Sequence, residues 1–271
     1  MSSPTFNALN KEAQFTKEML GSGATQIRKA NYSTKGIYFQ AFTSLSTGLE
    51  RIGKLCLILD HFIKHNGRFP DFDYMKNEIG HNISLIYQKS PEVIINHSIT
   101  LDFLPDLNDP VHQAMLKILS EFATGDRYSN INLVVGSRRK NDPIASWFNE
   151  VDTPLYETRV SNKKKKSIQE NATVIASILG ANSMVMHTSE TGGEIIDIKE
   201  ASQRTGIQAA VAPYRQLYVL QIIRYWVELL TSLQYKAMKS GSEDIPFFSE
   251  VFAPFYNDDS YIRTRKTWDS I

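Results

Sequence analysis

The amino-acid sequence predicts a mainly α-helical fold, an antiparallel helical bundle with a helical C-terminal extension. Two long segments, residues 36–65 and 213–239, carry apolar residues that recur at intervals of three and four, as expected when one face of a helix is buried. Glycine and proline stand at or just beyond the ends of these segments, where helices begin and end. The composition, 42% hydrophobic and 22% charged, is that of an ordinary globular protein.

The N-terminal part of the chain is expected to begin with three helices. Residues 7–19 are compatible with a short amphipathic helix. The long helix over residues 36–65 should stop near Gly67, because an Asn-Gly pair followed by a proline ends helices. A further helix is expected over residues 71–89, ending before Pro91.

The middle of the chain mixes one clear helix with less regular sequence. Asp109 suits an N-cap and Pro110 the first position of a helix, which should end at Gly125. Residues 93–105 are ambiguous: their β-branched residues suit a strand, but a loop or a short helix remains open. Two prolines and scattered aromatic residues in 126–162 predict loop with short helices.

The C-terminal part is expected to hold two more helices with a joint between them. The first covers residues 163–179 and the second residues 213–239, with a proline at its first position and Gly241 just past its end. Residues 183–198 predict either one small β-hairpin around Gly192 or a joint between helices.

The chain of 271 residues is long enough for one large core. The best domain boundary lies in the loop region near residues 137–162. It gives a helical core at residues 1–136 and, at residues 137–271, a loop region with a C-terminal helical extension. Alternatively, the two parts share one core.

Composition and missing motifs narrow the function classes. A net charge of +1 provides no global basic field, so nucleic-acid binding would need a local patch. A single cysteine, Cys56, excludes a disulfide framework. The absence of a signal-type segment and of a membrane-length apolar run leads us to expect a soluble, cytoplasmic protein without membrane contact. No phosphate-binding loop, dinucleotide fingerprint, GxSxG or HExxH motif occurs, and no cofactor or metal is predicted.

One polar face of the first long helix is a candidate site. Glu50, Lys54 and His61 recur at helical spacing, nearly opposite the apolar stripe, and Arg51 lies at the edge of this face. Glu50 and Lys54 are correctly spaced for an ion pair. This pair is either exposed on a solvated helix face or buried, where it would fix the packing of the helix. Alternatively, the face lines a polar cleft between helices, formed by Glu50, Arg51 and Lys54.

Two further segments carry groups able to contact phosphate or transfer protons. In the segment 76–83, Gly80 predicts a close approach of helices, and His81 beside it is either a packed histidine or a proton-transfer group. After the helix ending at Gly125, Arg127 is able to hold a phosphate and Tyr128 to stack on a base; both also suit a purely structural turn.

The basic runs at residues 138–140 and 163–166 are interpreted as solvated loop and helix surface. His61 and His65, at i and i+4, are interpreted as two histidines on a wet helix end rather than as metal ligands.

Three motifs together resemble bacterial HEPN-like helical proteins. They are SxGLERIxKL at residues 46–55, KxxIGHNI at residues 76–83 and DRYSNIN at residues 126–132, within a matching region of about residues 36–132. The resemblance implies an antiparallel bundle of four or more helices, often a homodimer. Many members are metal-independent ribonucleases in toxin, phage-defence or RNA-processing systems.

The nuclease members carry an arginine followed four to six residues later by a histidine. Here Lys76 precedes His81 instead, and lysine does not reproduce a bidentate arginine. The first hypothesis is therefore a HEPN-like module that binds RNA, a nucleotide or a protein partner. The second is a ribonuclease with His81 as acid or base and Lys76 or Arg127 stabilising charge, and the third is a purely structural protein. The expected ligand-contacting residues are Glu50, Arg51, Lys54, Asn82, Tyr128 and Asn130.

Overall fold

A computed structural model describes residues 3–138, 141–180, 183–239 and 243–269. The protein is mainly α-helical with one small antiparallel sheet, as predicted. The longer helices are α1 (Pro4–Lys29), α2 (Gly36–Lys64), α4 (Ile83–Asn96), α5 (Pro110–Thr124), α9 (Asn162–Leu179) and α10 (Ile198–Met238). The short ones are α3 (Phe72–Tyr74), α6 (Ser129–Val134), α7 (Pro143–Trp147), α8 (Thr153–Arg159), α11 (Phe248–Val251) and α12 (Asp259–Thr264).

The first helix is much longer than the predicted residues 7–19. It begins at Pro4, capped by Ser3, and packs along α2. Glycines inside both helices permit this close contact: a Cβ added to Gly23 would lie 2.6 Å from Leu45. Gly21 and Gly23 therefore lie inside the helix, where they allow close packing against Trp268 and Leu45.

The predicted helix over residues 71–89 is wrong in its interior. A π-helical turn at Met75–Ile79 ends at Gly80, whose φ of +66° is left-handed and favours glycine. No heavy atom lies within 4 Å of a Cβ built there, so Gly80 is required for its backbone angle and not for a close helix approach.

Helix α4 begins after this break and continues through Pro91 to Asn96. A proline lacks the N–H that would bond the carbonyl four residues earlier. Here the Ser90 hydroxyl donates to the carbonyl of Tyr87 at 2.7 Å, which replaces that bond. The predicted stop before Pro91 is therefore wrong.

The middle of the chain follows the prediction. Asp109 caps α5, Pro110 is its first residue and Gly125 follows its end. Residues 126–138 and 141–161 form loops and short helical pieces. The ambiguous segment 93–105 is helical to Asn96 and loop beyond.

The hairpin alternative for residues 183–198 is confirmed. Strands β1 (His187–Thr188) and β2 (Glu194–Ile195) pair antiparallel. The last long helix, predicted over 213–239, begins earlier, at Ile198, and passes through Pro213 without ending. The predicted stop residue Gly241 lies outside the described residues, as do Arg139 and Lys140 of one basic run.

Helix α10 is the centre of the core. It spans 41 residues, about 60 Å, and its middle turns are buried on all sides, Tyr225 and Trp226 included. It packs against α1, α2, α5, α8, α9 and α12. One buried apolar cluster thus takes side chains from both sides of the boundary predicted at residues 136/137. In the described part of the chain, no helix combines the length and apolar character needed to cross a membrane.

Candidate functional site

A three-residue polar cluster forms where the α3–α4 connection meets α2. Glu50 and Lys54 lie one turn apart on α2, and Lys54 Nζ is 2.8 Å from Glu50 Oε1. His81 reaches the same carboxylate oxygen through Nδ1 at 2.9 Å, and this nitrogen is 3.2 Å from Lys54 Nζ. The structure therefore joins two of the segments that the sequence singled out separately.

Burial differs sharply across this cluster. The side chains of Glu50 and Lys54 are 21% and 19% exposed, whereas that of His81 is 79% exposed. The Lys54 ammonium and the His81 imidazole share one carboxylate oxygen of the half-buried Glu50. The arrangement presents an oriented imidazole at the surface.

Nδ1 of His81 lies between an acceptor, Glu50 Oε1, and a donor, Lys54 Nζ. When a neutral His81 carries its hydrogen on Nδ1, that nitrogen donates to the Glu50 carboxylate. Nε2 is then the basic nitrogen of the ring. General acid–base chemistry uses a histidine ring that is held in place by a carboxylate in this way.

Asn82 fixes the backbone next to His81. Its Oδ1 accepts from the Leu85 N–H at 3.0 Å as the N-cap of α4, and from the Ser120 hydroxyl on α5 at 2.9 Å. These two bonds tie the start of α4 to α5 and hold the connection that carries His81. Among its described contacts Asn82 is a positioning residue.

The other predicted site residues lie apart from this cluster. Arg51 points to α1, where its guanidinium contacts both carboxylate oxygens of Glu12 at 2.8 Å. The Arg127 guanidinium lies 5.1 Å from the ring centre of Tyr128. Lys76 and Asn130 are exposed. In the described residues, no hydrogen bond or ion pair joins Arg127 to Glu50 or His81.

A buried polar network, missed from the sequence, joins the first turn of α2 to α10. Arg215 of α10 is fully buried and pairs with the carboxylate of Asp152 at 3.1 Å. It also donates to the carbonyl of Ala30 at 3.0 Å and the hydroxyl of Tyr38 at 3.2 Å. Gln208 accepts from Arg215 and donates to Glu190 in the hairpin.

Burial controls the ionisation of this network. Desolvation raises the pKa of Asp152 to about 6, against the opposing effect of the Arg215 charge. Burial also raises the pKa of Tyr38. The network links α1, α2, α10 and the hairpin, and holds them in register.

The sequence holds only a weak signal for this network. Gln208 and Arg215 are seven residues apart, so they share one face of α10. Their partners Asp152 and Glu190 come from distant irregular segments that no periodicity connects to α10.

The two histidines at the end of α2 stack on each other, with ring centres 3.8 Å apart. Nδ1 of His65 contacts the carbonyl of His61 at 2.8 Å. Within the described residues, no group of three His, Cys, Asp or Glu side chains is arranged to hold a metal ion.

Comparison with known proteins returned no match to a family model, to a curated protein or to a solved structure.

Proposed function

We propose that the chain is a HEPN-like helical module that binds RNA across the surface around His81. The observation that carries the proposal is the Glu50–Lys54–His81 cluster, in which a half-buried carboxylate presents an exposed imidazole beside an ammonium group. The motif resemblance at residues 46–55 and 76–83 supports it, because those two motifs supply the three side chains.

The exposure of His81 favours a polymer over an enclosed small ligand. Small-molecule sites bury most of their ligand in a concave pocket, whereas the His81 side chain is 79% exposed. RNA binds open surfaces through phosphate contacts and through bases stacked on aromatic rings.

The Arg127–Tyr128 turn provides both kinds of contact at the same end of α5. Asn82 is bonded to Ser120, and α5 ends one turn later at Thr124, about 6 Å along its axis. Tyr128 is 51% exposed and Arg127 is exposed beside it. An RNA strand that contacts His81 and Lys54 is expected to continue over this turn.

A metal-independent ribonuclease is the second candidate, and the contact between His81 and Glu50 favours it. With Nδ1 donating to Glu50, Nε2 is free to take the proton from a ribose 2′-hydroxyl. The 2′-oxygen would then attack the adjacent phosphorus, form a 2′,3′-cyclic phosphate and expel the 5′-oxygen, which takes up a proton from water. The Lys54 ammonium would stabilise the negative charge on the phosphorane.

The test is binding of a fluorescently labelled single-stranded RNA, measured by anisotropy in EDTA. We expect His81→Ala and Lys54→Gln to weaken binding about tenfold each, as for loss of one charged contact. His65→Ala, which removes an exposed histidine at the far end of α2, should bind like the parent.

The same samples, run on a denaturing gel, separate the candidates. Cleavage by the parent and not by His81→Ala would assign the ribonuclease. Binding without cleavage would assign the binding module. No binding by a folded parent protein would refute both and leave a purely structural role for the cluster.

A further inference from the structure

A second, strongly basic cleft opens at the start of α9, between that helix, α1, α8, α10 and α12. Its volume is about 590 Å³. Four cationic side chains line it, Arg28, Arg159, Lys164 and Arg263, together with Ser161 and Tyr214. No aspartate or glutamate is among its described lining residues.

The cleft contacts of Arg28, Arg159 and Arg263 are to neutral groups. Arg28 donates to Gln216 Oε1 at 2.6 Å and to the carbonyl of Arg263 at 2.8 Å. Arg263 lies over the ring of Tyr214 at 5.9 Å. Across the described residues, none of the four forms an ion pair with a carboxylate.

Arg159 and Arg28 differ in how their charges are compensated. Arg159 donates to the Tyr218 hydroxyl at 3.1 Å, and that hydroxyl in turn lies 3.5 Å from Asp109, the acidic group that faces the cluster from α5. Partial burial lowers the pKa of Arg28, because its charge is desolvated without a carboxylate to compensate. An anion in the cleft would supply the missing compensation.

The N-terminal end of α9 adds backbone N–H donors to the cleft. Ser161 caps this 18-residue helix by accepting from the Lys164 N–H. The backbone N–H groups of a first helical turn lack intrahelical acceptors, and the helix dipole favours an anion there. Cationic side chains and helix donors therefore point to one ligand chemistry.

We propose that this cleft binds a compact small molecule carrying two or more phosphate groups. Four cations exceed what one phosphate needs, and the volume matches that of small-molecule pockets. Because the four cations gather around one cleft of about 590 Å³, a compact polyanion fits it better than a long strand. The inference does not rest on RNA binding at His81.

The test is isothermal titration calorimetry of the full chain with inorganic tripolyphosphate at about 0.15 M salt, where exposed charges are screened. We expect saturable 1:1 binding that weakens about tenfold or more in Lys164→Gln and in Arg263→Gln. Lys166→Gln is the matched control: it removes the same charge two residues away, from a side chain that pairs with Glu170 outside the cleft. This control should bind within about twofold of the parent, as expected for a screened surface charge.

Three results would overturn the proposal. The first is no saturable binding at millimolar tripolyphosphate by the folded parent. The second is an equal loss in Lys166→Gln, which would indicate diffuse charge attraction. The third is displacement of tripolyphosphate by single-stranded RNA at far lower concentration, which would assign the cleft to a strand. His81→Ala should leave tripolyphosphate binding unchanged, so failure here is distinguishable from failure of the RNA proposal.

Discussion

The buried pair of Arg215 and Asp152 should dominate the stability of the α2–α10 contact. The two side chains are 0% and 2% exposed, with the charged atoms 3.1 Å apart. Removing one partner of such a pair leaves an uncompensated buried charge, at a cost of about 3–5 kcal/mol. Arg215→Met would leave Asp152 facing Glu190, another buried carboxylate that already raises its pKa. We expect the free energy of unfolding to fall by about 3–5 kcal/mol, a large share of the about 5–15 kcal/mol typical of domains.

A double-mutant cycle isolates this interaction. Asp152→Asn, Arg215→Met and the double variant are unfolded in urea and followed by far-ultraviolet circular dichroism. In the double variant neither charge is left without its partner, so its loss should be at least about 2 kcal/mol smaller than the sum of the single losses.

Additive losses would refute this reasoning. If the double variant loses the sum of the two single values within about 0.5 kcal/mol, the pair is not energetically coupled. The buried network would then be held by its neutral hydrogen bonds, through Gln208 and the carbonyl of Ala30.

Three other outcomes follow from single positions. Gly80→Ala should lower the free energy of unfolding by about 1–2 kcal/mol in urea titrations, because the φ of Gly80 is +66°. Gly36→Ala should not destabilise the protein, because Gly36 is helical and has open space where a Cβ would lie. Equal effects of the two substitutions would contradict the argument from backbone conformation. Gly23→Ala should lower the melting temperature, because the added Cβ clashes with Leu45 at a cost of about 1–3 kcal/mol. An unchanged melting temperature would show that α1 and α2 can move apart without cost to accommodate the methyl group. Burial lowers the pKa of His112 in the folded state, so the unfolded chain binds more protons and stability should fall as pH drops below about 6.5. Melting scans from pH 8 to 5 should show a flatter profile for His112→Gln than for the parent, and parallel profiles would exclude this histidine as a cause.

Helical periodicity predicts the long elements well but not their limits. The repeat of apolar residues identified α2, and capping residues placed both ends of α5. Proline and glycine gave false predictions of helix ends where other contacts in the fold compensate for them. Pro91 is tolerated because the Ser90 hydroxyl replaces a lost backbone bond, and Gly23 is tolerated because α2 packs against it.

The candidate site, too, could be predicted only in part from the sequence. The Glu50–Lys54 pair follows from helical spacing alone, since both residues share one element. Its contact with His81 depends on the left-handed turn at Gly80, which sequence periodicity does not encode. The basic cleft was missed because its cations come from four separate elements, and only Lys164 belongs to an obvious basic run.

The central claim, that RNA contacts the surface around His81, is tested most directly by the histidine ring signals in a two-dimensional proton–carbon NMR spectrum during titration with single-stranded RNA. Substitution of His81 and of His65 assigns their two signals. Our account predicts a saturable shift of the His81 signal with little change at His65, 16 residues away in the chain and at the far end of α2. RNA binding that leaves the His81 signal unmoved, or shifts both signals alike, would contradict the account.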